Sequence, residues 1–100
     1  MELSKEIGQA VSTGKVAMGA ARSIKTLKRG QAKLVIAASN CEPNLLADIK
    51  HYAALANVPV HIFDGTSQEL GLACGKPFLV SILAVVESGS SNILSIGGHR

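Results

Sequence analysis

Lys33-Leu34-Val35-Ile36-Ala37-Ala38 is uninterrupted in its apolar character after the first residue, and polar residues flank it on both sides. A strand with one wet face alternates polar and apolar side chains. One that does not alternate is the pattern of a strand covered on both faces, at the centre of a sheet. Outward from this run, helical and strand signals alternate. On the N-terminal side, Leu3, Ile7, Ala10 and Val11 are spaced for one helix face that stops near Gly14, a short strand covers Lys15 to Met18, and a second helix runs between Gly19 and Gly30. On the C-terminal side, Pro43 suits the first turn of a helix carrying Leu45, Ile49, Tyr52, Ala53 and Ala56 on one face, with Asn57 as a left-handed terminator. Val58 to Phe63 reads as a strand ended by the turn pair Asp64-Gly65. Thr66 as N-cap with Glu69 three positions on forms a capping box, opening a short helix that ends at Gly75. Phe78 to Val86 is apolar and β-branched enough for a second buried strand, and Ile93 to Ile96 is expected to add a terminal turn or strand. The order α-β-α-β-α-β-α-β predicts an α/β protein with a mixed or parallel sheet between helical layers, a single domain over residues 1–100.

Composition sets further limits. The chain has 100 residues, 47% of them apolar, but its aromatics are Tyr52, Phe63 and Phe78 alone, so the core must be aliphatic. Cys41 and Cys74 lie outside any paired spacing and read as free buried thiols. The first residues are charged and the apolar runs too short to span a bilayer, which points to a cytosolic protein without a membrane partner. Seven of the ten Lys/Arg residues fall within positions 1–33, against two acids, whereas the remainder carries three cations against five acids. In the second helix, Arg22, Lys25 and Arg29 share one edge with Lys28 beside them, and Ala20, Ile24 and Leu27 take the opposite edge. Gly19 opens that helix, so unpaired backbone N–H groups and the positive end of the helix dipole suit a phosphate there. A nucleic-acid footprint at one end of the molecule fits this asymmetry, and the solvated face of an ordinary surface helix is the competing reading.

No phosphate-binding P-loop, dinucleotide-binding glycine pattern or nucleophile elbow occurs. His51, His61 and His99 do not stand at ligand spacing with Cys or carboxylates, and Glu69 is better explained by the capping box than as a general base. The sequence therefore implies no enzyme, no metal and no cofactor.

Three segments carry a resemblance: Val16 to Ile24 (VAMGAARSI), Leu34 to Asn40 (LVIAASN) followed by the Tyr52-Ala53 helix, and Gly65 to Gly71 (GTSQELG) running to Gly75-Lys76-Pro77-Phe78. In order and spacing they resemble the archaeal and eukaryotic large-subunit ribosomal protein thirty family, within the kink-turn-binding superfamily, from about Ile7 to Gly98. Superfamily members of archaeal small RNA particles show Gly-x-Asn-Glu at the second helix. Gly19-Ala20-Ala21-Arg22 stands here instead, which favours the ribosomal branch. The resemblance implies a three-layer α/β/α sandwich with a mixed sheet of about four strands. It also implies a structural constituent of the large subunit, cytoplasmic and non-catalytic, that binds a kinked internal loop of rRNA beside neighbouring ribosomal proteins and is monomeric when free. Gly19, Arg22 and Ser23 would meet RNA at the start of the second helix, with Lys25, Lys28 and Lys33 toward phosphates. Asn40 would contact a base, and Phe78, Leu79 and Val80 would contact unstacked bases. Two local readings stay open: Phe78 as a core residue at a strand entrance, and Asn40 as an Asx turn before Pro43. Glu42, beside Asn40, would repel phosphate. A regulatory or small-particle kink-turn binder outside the ribosome, and a protein-interaction module with a basic surface, are the alternative functions.

Overall fold

The computed structural model of the protein describes residues 3–91 and Ile93. Across them, helices and strands alternate: α1 (Leu3–Thr13), β1 (Lys15–Met18), α2 (Ala20–Lys28), β2 (Leu34–Ala38), α3 (Pro43–Ala56), β3 (Val60–Phe63), α4 (Ser67–Ala73) and β4 (Ile82–Glu87). The strands form one mixed sheet in the order β1-β4-β2-β3. β2 runs parallel to β3 and antiparallel to β4, and β4 runs antiparallel to β1.

Every residue of β2 is buried, because its two faces enter two different cores. Leu34, Ile36 and Ala38 pack with Ile7 and Ala10 of α1 and Leu70 of α4. Val35 and Ala37 pack with Leu27 of α2 and Ile49 and Ala53 of α3. The alternation expected of any strand is present, but both directions lead into apolar layers. The result is an α/β/α sandwich with α1 and α4 on one face and α2 and α3 on the other.

Local chemistry fixes the helix ends. Pro43 occupies the first turn of α3, and the Glu42 carboxylate accepts hydrogen bonds from the backbone N–H groups of Asn44 and Leu45, each 3.0 Å long. Asn57 closes the same helix at φ 62°. At α4, the Glu69 N–H donates to Thr66 Oγ1 (3.3 Å) and the Thr66 N–H donates to Glu69 Oε1 (3.0 Å), completing the capping box.

The largest departure from expectation is in β4, which begins at Ile82 rather than Phe78. Two contacts draw residues 78–80 onto α4 and away from the ladder. The Val80 N–H donates to the Ser67 carbonyl at 3.1 Å, and the Phe78 carbonyl lies against Gly71 where a side chain would otherwise stand. β3 likewise starts at Val60 rather than Val58, although the Pro59 carbonyl still accepts from the Val35 N–H at 3.0 Å. Of the terminal element expected over residues 93–96, Ile93 is fully buried in the α1/α4 core, and the rest lies outside the described residues.

Because Ile36 is completely buried between helix layers, Ile36→Ala is expected to lower stability by about 2–5 kcal/mol. Urea unfolding monitored by circular dichroism measures this, as a lower transition midpoint at unchanged slope.

Candidate nucleic-acid interface

Sheet register brings four chain segments to one end of the molecule. Met18 lies opposite Leu83, Ala37 opposite Ile82, and Ala38 opposite Phe63. The ends of β1, β2 and β3 and the start of β4 are therefore level, and the segments beyond them are neighbours. Hydrogen bonds lace these segments together. The Gly19 N–H donates to the Ile82 carbonyl (2.7 Å), the Ala38 N–H to the Ser81 carbonyl (2.8 Å) and the Ser39 N–H to the Gly65 carbonyl (2.9 Å). The Ser39 hydroxyl donates to the same Gly65 oxygen at 2.8 Å.

Gly19 is the N-cap of α2 at φ 97°, a conformation that side-chain-bearing residues rarely adopt, and no side chain caps the helix. A Cβ built there meets nothing within 4 Å, so the space before the helix N-terminus is open. The first-turn N–H groups and the helix dipole face that space, with the exposed Arg22 in the same turn and Lys25 one turn further along. An anion placed there meets backbone donors and a guanidinium together.

Asn40 is exposed, yet its side chain is held: Oδ1 accepts from the N–H of Ser67, the first residue of α4, at 2.8 Å. Since Ser67 supplies a donor, the atom facing it must be the amide oxygen, which turns the Asn40 NH2 donor away from this contact. The bond spans 27 residues and replaces the local Asx turn considered as an alternative. Glu42 is engaged at the N-terminus of α3, so its negative charge is directed at that helix dipole. Burial, with the Glu42 charge second, pushes the Cys41 thiol up, and burial raises Cys74 to about 11, so both stay protonated at neutral pH.

Phe78 is 55% and Leu79 67% exposed, which overturns the core reading of Phe78. Together with Leu72, Gln68, Lys76 and Pro77 they line a shallow groove of about 200 Å³. Leu72, 68% exposed, extends the apolar surface beyond the residues the sequence singled out. Its place at the sixth position of a helix opened by a clear capping box was the only signal available.

Four of the expected site residues are placed elsewhere. Ser23 is completely buried, its hydroxyl directed to the Ala17 carbonyl at 3.5 Å. It stands one turn before the inward Leu27, and 100° from Arg22 is enough to turn it into the core. Val80 is 2% exposed and belongs to the α1/α4 core, so its side chain faces away from the groove. Lys33 immediately precedes β2 and Asn40 follows it, so about 17 Å of strand separates them. Lys28 lies at the same far end, about 9 Å along the helix axis from Arg22. Gly19, Arg22, Asn40, Phe78 and Leu79 lie on segments that meet at this end of the sheet, with Lys25 one turn further along α2.

A family model described as the ribosomal protein L7Ae/L30e/S12e/Gadd45 family matches residues 1–95. Similar proteins include the large ribosomal subunit protein eL30 of Methanocaldococcus jannaschii, 48% identical over 96% of this chain and 87% of that protein. Its counterpart from Methanosphaera stadtmanae is 47% identical over 96% and 98%, and that from Methanothermobacter thermautotrophicus 46% identical over 98% and 100%. Among solved structures, a protein of unknown function from Bacillus halodurans C superposes with a TM-score of 0.84 over 95% of this chain and 94% of that one. At 24% identity, this likeness concerns the fold alone.

The groove depends on the close approach at Gly71, where an added Cβ would collide with the Phe78 carbonyl. Gly71→Ala is expected to displace residues 78–80, costing about 1–3 kcal/mol of stability. Hydrogen exchange checks this directly: the Val80 amide should lose protection while amides in β2 keep theirs.

Proposed function

Because the chain belongs to the ribosomal protein L7Ae/L30e/S12e/Gadd45 family, we propose that it is a structural, non-catalytic constituent of the large ribosomal subunit in the cytoplasm, binding rRNA at a kinked internal loop and holding it bent. The relatives' designation as large-subunit proteins supports the first part. The observation that carries the second is the convergence, at one end of the sheet, of an open helix N-terminus, an immobilised amide and an exposed aromatic ring.

Each of these suits a different part of a bent RNA. The N-terminus of α2, with Arg22 and Lys25, takes phosphates, which a sharp bend crowds together and which therefore need compensating charge. Phe78 and Leu79 offer a flat apolar surface to a base that the bend has unstacked. Asn40, its oxygen committed to Ser67, presents a donor to an acceptor on a base edge, and because its rotamer is already fixed it loses little entropy on binding. Phosphate contacts supply affinity and the other two supply selectivity. Neighbouring ribosomal proteins would complete the surroundings. Cosedimentation with large subunits separates this role from that of a kink-turn binder acting outside the ribosome.

Two variants test the site. Phe78→Ala should weaken binding to a kinked-loop RNA by about 1–3 kcal/mol and leave a fully paired control unaffected; calorimetry in which both RNAs respond alike would remove the ring from the site. Asn40→Asp retains an acceptor for the Ser67 N–H and replaces the outward donor with an anion. It should preserve thermal stability while reducing kinked-loop affinity by about tenfold or more. Unaltered affinity would leave Asn40 a purely structural residue.

A further inference from the structure

The cations of the first third of the chain divide into two groups at opposite ends of the sheet. No acid occurs between Glu6 and Glu42, while Lys15, Arg22, Lys25, Lys28, Arg29 and Lys33 all fall in that interval. Arg22 and Lys25 adjoin the loops described above. Lys28, Arg29 and Lys33 are exposed and lie within six residues on the turn from α2 into β2, which is at the opposite end. Lys15 opens β1 at that end also, paired in register with Glu87 of β4, so its charge has a nearby anion.

A cation in the last turn of a helix offsets the negative end of the helix dipole, which explains Lys28 or Arg29 singly. It does not explain both together with Lys33, which lies beyond the helix. Lys28 is moreover positioned. Its ammonium sits 5.0 Å from the centre of the Tyr52 ring, a cation–π contact that holds the charge at the rim of a groove of about 380 Å³ between the C-terminal ends of α2 and α3. The groove floor is apolar, with Leu27, Ala56 and Leu55, the last 73% exposed.

We propose that Lys28, Arg29 and Lys33 bind the phosphate backbone of a second RNA segment, so that the protein fastens two separate stretches of RNA at opposite ends of one rigid sheet. The described molecule measures 28 × 25 × 23 Å. Lys28 stands about 9 Å along α2 from Arg22, about one Debye length at physiological salt, and about 17 Å of strand separates Lys33 from Asn40, so the two ends are distinct in position and only partly screened from each other. This inference rests on the ribosomal reading in one respect: RNA is then the polyanion that surrounds the protein. An acidic peptide with a leucine for the apolar floor is the other partner of matching chemistry. RNA is favoured because three closely spaced cations, one of them pinned, match a repeating phosphate backbone, and such contacts need no sequence selectivity.

The test uses the whole chain. A kinked-loop RNA with short stems first saturates the Asn40/Phe78 end, and a labelled, fully paired RNA duplex is then titrated in at low salt. A ternary complex is expected, its formation falling steeply with salt. K28A/R29A/K33A should weaken duplex binding by about tenfold or more and lower the salt slope by about three, while weakening the kinked loop much less. R29A/K33A, which keeps Lys28 on Tyr52, should give an intermediate loss and guards against misfolding of the triple variant. N40D/F78A should do the reverse, losing the kinked loop and keeping the duplex. Absence of a ternary complex at low salt would overturn the proposal. So would a triple variant that weakens both RNAs equally, because the cations would then belong to one continuous footprint. Preference for a leucine-containing acidic peptide over the duplex would reassign the groove to a protein. If the kinked loop binds no better than its paired control, the kinked-loop reading fails, while the effect of the triple variant on the duplex still decides the second site.

Discussion

β2 carries apolar side chains toward both faces along its whole length, so it is stable only when helices cover both sides of the sheet and strands flank both of its edges. That requirement fixes the positions of α1 and α4 on one face and α2 and α3 on the other, and places β4 and β3 at its sides. Because β2 and β3 are parallel while β4 runs opposite to both, their registers set the loops after β2 and β3 beside the segment leading into β4. β1, antiparallel to β4, delivers Gly19 to the same end. The candidate interface is a consequence of core packing: its loops meet because the strands that carry them are locked in register.

Rigidity at that end comes from backbone groups that secondary structure leaves unpaired. α4 needs partners for its first N–H groups. Thr66 satisfies one, and the Asn40 oxygen satisfies another from a different loop. The same bond that caps the helix orients a donor outward. Glu42 follows a similar logic at α3: a carboxylate that alone would repel RNA is directed into a helix N-terminus by two hydrogen bonds. Among the three helices that start at this end, only α2 has an N-terminus without a side-chain cap, and a Cβ built at its N-cap Gly19 meets nothing within 4 Å. One uncapped terminus among capped ones gives the proposed anion site its place.

The molecule's charge is likewise organised by the fold. As a sequence, the basic run from Arg22 to Lys33 looks like one patch, and on an isolated helix Arg22, Lys25 and Arg29 would share one edge. Folded, α2 spans the height of the sheet, so its beginning and end face different surroundings. The first turn looks onto the loops that hold Asn40 and Phe78, and the last turn packs beside Tyr52 of α3.

The sequence by itself determined the order of elements, the helix caps at Thr66–Glu69 and Asn57, the buried character of β2, the basic α2 and its glycine start, because each depends on residues within a few positions of one another. Even the family was legible in three short segments in register. What it left undecided were the identities of neighbours across the fold. Ser23 and Arg22 are adjacent in sequence, yet one is buried and the other exposed. Val80 and Leu79 differ in the same manner, one in the core and one in the groove. The start of β4 shifted because Gly71 and Ser67, seven and more positions away, pull residues 78–80 onto α4. The bond from Ser67 to Asn40 and the exposure of Phe78 are set by sheet register and layer packing. These are contacts between residues far apart in the chain, which no local pattern encodes.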